Sequence, residues 1–132
     1  MIGIDANILL RYFLEDDPVW SPAVETFIES KLSVDEPGYV NPITLVEVVW
    51  SLRRHARYDR EALCEVIEGL LAFEKMVIGE SEAVTRALNA YRAGGAGFVD
   101  YFIAELNTDA GAATTMTIDK KAAAREPFQL LR

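Results

Sequence analysis

Apolar positions along the chain fall into two kinds of run: short blocks of three or four residues, and longer stretches in which apolar residues recur at helical spacing. MIGI reads as a short buried strand and ANILLRYFL after it as a helix. Ser21 with Pro22 behind it forms an N-cap and first-turn pair, which predicts a helix running to about Leu32. PGYVN is a second strand, and Asn41 with Pro42 repeats the cap-and-proline signal ahead of ITLVEVVWSLRRHA. Asp59 caps REALCEVIEGLLAF, and KMVIG is a third strand. SEAVTRALNAYRAG is a helix stopped by Gly94 and Gly95, and GFVDYFIAELNTDAG is one more helix. TTMTI then makes a fourth strand, KKAAA a short helical turn and FQLL an edge strand.

Short apolar strands separated by amphipathic helices predict a parallel sheet with helices over both faces, a three-layer α/β/α sandwich. The 132 residues suffice for one domain with one substantial core, and no repeat, linker or low-complexity segment divides them. Sheets of this kind place their sites at the carboxyl ends of strands. Asp5 follows MIGI and Asp119 follows TTMTI, so both belong at that edge.

Composition narrows the chemistry. The chain is 51% apolar, 26% charged and 10% aromatic, a globular balance with no long disordered segment. No apolar run approaches the roughly 20 residues that span a bilayer, and the N-terminus lacks the layout of a signal peptide, so no membrane association and a cytoplasmic location are expected. Cys64 is the only cysteine, which excludes an intrachain disulfide and a zinc cluster and leaves it as a small buried hydrophobe. His55 is the only histidine, and nothing around it points to a Ser-His-Asp or Cys-His nucleophile. An enzyme built from this sequence works with carboxylates.

Thirteen Lys and Arg against 21 Asp and Glu leave a net charge of −8, which by itself argues against a phosphate-bearing partner. The positive charge is uneven, however: Arg53, Arg54, Arg57 and Arg60 flank His55, and Lys120, Lys121 and Arg125 form a second group. The acids of EDD at 15–17 and of VDE at 34–36 read as solvated faces.

Four acids stand out because apolar residues surround them: Asp5 in IDANIL, Glu47 in TLVEVVW, Asp100 in GFVDYFIA and Asp119 in TIDKKAA. Asp5 and Asp119 each also occupy a helix N-cap position, and either role accounts for them. Glu47 sits in a helix apolar around most of its circumference, which implies burial unless it lies on a solvated stripe. Asp100 shares a helical face with Ile103, Ala104 and Asn107. Buried carboxylates need a partner, and the Lys and Arg here cluster at helix ends and loops. A divalent ion satisfies several carboxylates together, and Mg²⁺ and Mn²⁺ prefer oxygen ligands. Such a site suits phosphodiester hydrolysis, and the metal reverses the local sign so that a phosphate backbone can approach an acidic crevice. The arginines at 53–60 then become candidates for steering the strand.

These four segments, in this order and relative placing, resemble the motifs of PIN-domain nucleases, and the short length resembles the VapC-type toxins of type II toxin–antitoxin pairs. The resemblance runs from residue 2 to about 131. It implies that Asp5, Glu47, Asp100 and Asp119 form a metal-binding catalytic cluster, that Asn7 and Thr117 support it by hydrogen bonds, and that Mg²⁺ or Mn²⁺ is the cofactor of an endoribonuclease. Arg53, Arg54 and Arg57 become candidate RNA contacts. It further implies a homodimer and a small VapB-like antitoxin whose basic residues reach into the acidic pocket, docked on apolar surface of the helices at 22–32 and 43–56. Two positions depart from the pattern: Gly97 stands where many relatives carry a further acid, and Ala6 where a hydroxyl residue is frequent. The expectation is one tightly held ion, with a second arriving with substrate.

Other readings carry marks of their own. A PIN-like module that binds RNA or protein without cutting is marked by loss of an acid, and all four are present. A haloacid-dehalogenase-like phosphatase wants a second acid two positions after Asp5, where this chain has Asn7. A receiver-type domain needs an Asp ending its middle strand, and KMVIG runs into Glu80.

Overall fold

The computed structural model describes residues 1–132. Five short strands, β1 (Ile2–Gly3), β2 (Gly38–Val40), β3 (Met76–Ile78), β4 (Thr115–Thr117) and β5 (Phe128–Leu130), alternate with helices. The helices are α1 (Ala6–Leu14), α2 (Trp20–Thr26), α3 (Pro42–Arg54), α4 (Arg60–Ala72), α5 (Ser81–Arg92), α6 (Phe98–Asp109) and α7 (Lys120–Ala123). A π-helical turn, Phe27–Lys31, carries α2 on to Leu32.

Local chemistry sets most of the boundaries. The Asn41 side chain accepts a hydrogen bond from the Thr44 amide at 2.9 Å, with Pro42 at the first helical position of α3. Asp59 accepts from the Ala62 amide at 2.8 Å and opens α4 in the same way. Gly94 and Gly95, with φ of 96° and 95°, take the chain out of α5 through conformations closed to most side chains.

The start of α2 differs from the expected Ser21 cap. Asp17 accepts from the amides of Val19 and Trp20 at 2.9 and 2.8 Å, so the helix begins at Trp20. A carboxylate four residues earlier offers the stronger acceptor, and Ser21 turns instead to Arg11, whose carbonyl accepts its hydroxyl at 3.0 Å and so ties α2 to α1. Pro22 still falls in the first turn, where its missing N–H costs nothing.

The elements make an α/β sandwich on parallel strands, but the strands divide between two sheets. β2 is central in the order β1-β2-β3, with Ile2 opposite Gly38 and Val40 opposite Ile78, while β4 pairs only with β5. The one continuous sheet expected from the alternation is not formed, because β1 is two residues long and bonds only β2, and β4 takes β5 as its partner. Burial alternates along β3, where Met76 and Ile78 are inside and Val77 is 41% exposed, so the two sheet faces are unequally covered. Gly38 is required by packing: a Cβ there would lie 2.8 Å from Ile4 and 3.2 Å from Leu32. The core runs continuously from Leu9 of α1 through Ile28, Val48, Leu52 and Ile67 to Phe98 and Phe102 of α6. Cys64 is buried in it, and its burial pushes the thiol pKa up, which keeps it protonated and inert. No helix is long and apolar enough to cross a membrane.

Candidate active site

One cavity, of about 560 Å³, lies where α3, α6 and α7 approach one another. Trp50 and Arg53 of α3, Arg60 at the start of α4, Tyr91 at the end of α5 and the Gly95–Asp100 segment line it, and Asp119 and Lys121 complete it. Asp100 stands in the first turn of α6, where one of its oxygens accepts from the Gly97 amide at 3.2 Å. Asp119 caps α7, accepting with one oxygen from the amides of Lys121 and Ala122 at 2.8 and 3.4 Å. Its own amide donates to the Thr117 hydroxyl at 3.0 Å, so Thr117 fixes the backbone that presents it. Each of these two aspartates keeps one carboxylate oxygen without a hydrogen bond from the fold.

The other two acids lie outside this cavity. Asp5 occupies the N-cap position of α1 but accepts no cap bond, and it is exposed. Glu47 is exposed as well, which corrects the expectation that it is buried. The reason lies in the helix: Thr44, Leu45, Val48, Val49 and Leu52 face the core, and Ile43, Glu47, Trp50 and Arg54 form the outward stripe at spacings of four, three and four. Two members of that stripe are apolar yet solvent-facing, Ile43 at 73% and Trp50 at 50% exposure, so the sequence shows no polar stripe. Asp119 is exposed and Asp100 only half-buried; the premise of buried acids is therefore corrected for all four. Asn7 lines a separate cavity with Arg11, Asp17 and Trp20 and makes no hydrogen bond to any of the acids.

No three His, Cys, Asp or Glu side chains come together in an arrangement that could hold a metal ion. The four-carboxylate cluster is thus not preassembled; Asp100 and Asp119 are the pair that shares a cavity. None of the four is ion-paired, whereas Arg11 is taken by Asp16, Arg86 by Glu105 and Asp109, and Arg92 by Glu68. In donor chemistry the residues fit a hard divalent cation, since all are carboxylates with free oxygens. In placement, Asp100 and Asp119 share one cavity and Asp5 and Glu47 lie outside it.

The cations of the cavity have distinct roles. Arg60 donates to the carbonyls of Tyr91, Ala96 and Gly95 at 2.7, 3.4 and 3.3 Å, and its guanidinium lies 4.4 Å from the centre of the Tyr91 ring. Burial raises the pKa of the Tyr91 hydroxyl, with Arg60 and Arg53 opposing. From the other side, the Tyr101 hydroxyl accepts from the Ala96 amide and donates to the Gly94 carbonyl, each at 3.0 Å. A Cβ on Gly95 would come within 2.6 Å of that hydroxyl. Of the three arginines expected to touch RNA, Arg53 lines the cavity, Arg54 stacks on Trp50 at 5.0 Å, and Arg57 stands exposed in the α3–α4 loop with φ of 58°.

The PIN domain family matches residues 2–125 of this chain. The chain belongs to the PIN domain family. PIN domains are generally metal-dependent nucleases, which is the chemistry that unpaired carboxylates beside free cations can serve. No curated protein and no solved structure shows significant similarity to it.

Trp50 and Lys121 of this PIN domain's cavity were not singled out as site residues from the sequence. Trp50 had a readable signal, since it lies seven residues after Ile43 and three after Glu47, on one stripe of α3. Arg60, grouped by sequence with the arginines that could steer RNA, is instead committed to the carbonyls of Tyr91, Ala96 and Gly95.

Proposed function

We infer that this PIN domain, one unit over residues 1–132, is an endoribonuclease dependent on Mg²⁺ or Mn²⁺ and serves as the toxin of a toxin–antitoxin pair. The observation that carries this reading is the meeting of Asp100 and Asp119 with Arg53 and Lys121 in one cavity of an otherwise acidic chain. Asp100 and Asp119 would hold the cation through the oxygens that the fold leaves free, with Asp5 and Glu47 as the further ligands. When bound, the cation stabilises charge developing on the phosphate oxygens and lowers the pKa of water. Asp119 accepts a hydrogen bond from the attacking water and orients it, and Thr117 keeps Asp119 in position. Arg53 and Lys121 draw the RNA backbone toward the carboxylates. A small antitoxin holds the enzyme silent by placing Arg or Lys where the metal would sit, and the active species is a homodimer.

The absence of a preassembled triad favours one competing reading, a PIN module that binds RNA without cutting it. A cleavage assay on RNA with Mn²⁺, with and without chelator, separates the two. Cleavage that needs Mn²⁺ and falls by about a hundredfold in Asp5→Asn supports the nuclease and a role for Asp5. Cleavage indifferent to chelator and to that substitution sinks it.

A further inference from the structure

We propose that Trp50, together with Arg53 and Lys121, forms a site that stacks one unpaired base of single-stranded RNA and grips its flanking phosphates beside Asp100 and Asp119. This rests on the reading of RNA as substrate and adds the residue that holds one of its bases. Trp50 is half-exposed although its ring is among the largest apolar surfaces in the chain, and it lines the cavity from α3. Its ring is held rather than free: the Arg54 guanidinium lies 5.0 Å from its centre, and His55 meets it at 5.8 Å with planes at 77°. An aromatic platform fixed in this way loses little freedom when a base stacks on it.

The charges around Trp50 have the right sign and are available. Arg53, Arg60 and Lys121 against Asp100 and Asp119 make the lining 3 − 2 = +1, in a chain of net charge −8. Arg60 is committed to three carbonyls, but the Lys121 ammonium has no ion-pair or hydrogen-bond partner. Arg53 reaches only the Tyr58 carbonyl, at 3.5 Å. Those two cations are therefore free for phosphates. A cavity of about 560 Å³ has room for a nucleotide, within the range usual for small-ligand sites. A base inside a duplex has both faces covered by its neighbours and cannot reach the ring, so the site selects unpaired nucleotides. Trp20, the only other tryptophan, supplies a control: it is exposed, but its neighbour Arg11 is already paired with Asp16.

The test is binding without cleavage. A fluorescein-labelled single-stranded oligoribonucleotide of about eight nucleotides, and the same strand in a duplex, are titrated with the full chain in EDTA and followed by anisotropy. The single strand should bind more tightly than the duplex. Trp50→Ala should weaken it by about tenfold, Trp50→Phe by much less, and Trp20→Ala not at all. Lys121→Ala should weaken binding and flatten its salt dependence. Equal binding of single strand and duplex, equal affinity of Trp50→Ala and wild type, or no RNA binding by wild type would each overturn the proposal. Loss in Trp50→Phe equal to that in Trp50→Ala would overturn stacking as its basis. A second arm with Mn²⁺ keeps the two readings apart. Cleavage with no dependence of binding on Trp50 leaves the nuclease and removes this site, and Trp50-dependent binding without cleavage does the reverse.

Discussion

Two cavities of nearly equal size flank α4, and they differ in everything except volume. One, of about 610 Å³, is walled by Leu9, Phe13, Val66, Leu70 and Phe73, with Glu65 its only charged residue. The other, of about 560 Å³, holds two aspartates, two arginines and a lysine around Trp50 and Tyr91. The same helix serves both, sending Val66 and Leu70 one way and Arg60 and Leu63 the other. Space alone therefore does not mark the chemistry of this PIN domain; lining does. A hollow lined by hydrocarbon presents little field to a charged ligand, whereas one with unpaired carboxylates and free cations presents fields that act on a phosphate.

If that contrast holds, substitutions on the two sides of α4 should fail in different ways. The largest effect is expected from Asp100→Asn, which should lower Mn²⁺-dependent RNA cleavage by about three orders of magnitude. Glu65→Gln, in the apolar cavity, should leave cleavage unchanged, and a comparable loss there would break the comparison. Leu9 is fully buried on the apolar side, so Leu9→Ala should cost about 3 kcal/mol of unfolding free energy, read from urea melts. Its cleavage per folded molecule should stay near that of wild type.

The smallest effect sharpens what an acid does when it lies outside the charged cavity. Asp17 accepts two backbone N–H bonds, first from Trp20 and then from Val19, and these hold its pKa below the usual carboxylate value. The charged form is favoured in the folded state, so its contribution is complete above about pH 4 and is lost as pH falls through the lower native pKa. Asp17→Asn should therefore be less sensitive to acid in urea melts between about pH 5 and pH 2, with cleavage at neutral pH unaltered. A steeper acid response in the variant would contradict this.

What the sequence disclosed follows from the range of the forces involved. Caps at Asn41 and Asp59 depend on residues three positions away, and both were legible. The start of α2 was placed at Ser21 because Asp17 was read as a solvated acid, and only the packed structure shows Asp17 holding the Val19 and Trp20 amides and Ser21 engaged with Arg11. The separation of β4 and β5 from the other strands is a matter of distant pairing, which local periodicity does not encode. Glu47 misled because burial was read from the apolarity of its neighbours, and Ile43 and Trp50 are apolar residues that face water. The placing of Asp119 at a strand end was read from the alternation, but its meeting with Asp100 across nineteen residues rested on family resemblance.

The segment from Gly94 to Gly97 is bolted by Arg60, which donates to the carbonyls of Gly95 and Ala96, and by the Tyr101 hydroxyl, which bonds the Ala96 amide and the Gly94 carbonyl. Its disorder was surrendered when the chain folded. A nucleotide settling against that rim has no loop to freeze and keeps more of its contact energy as affinity. The Ala96 amide, though outside any helix or strand, should accordingly trade its proton with solvent on the slow timescale of α6 rather than that of a surface loop.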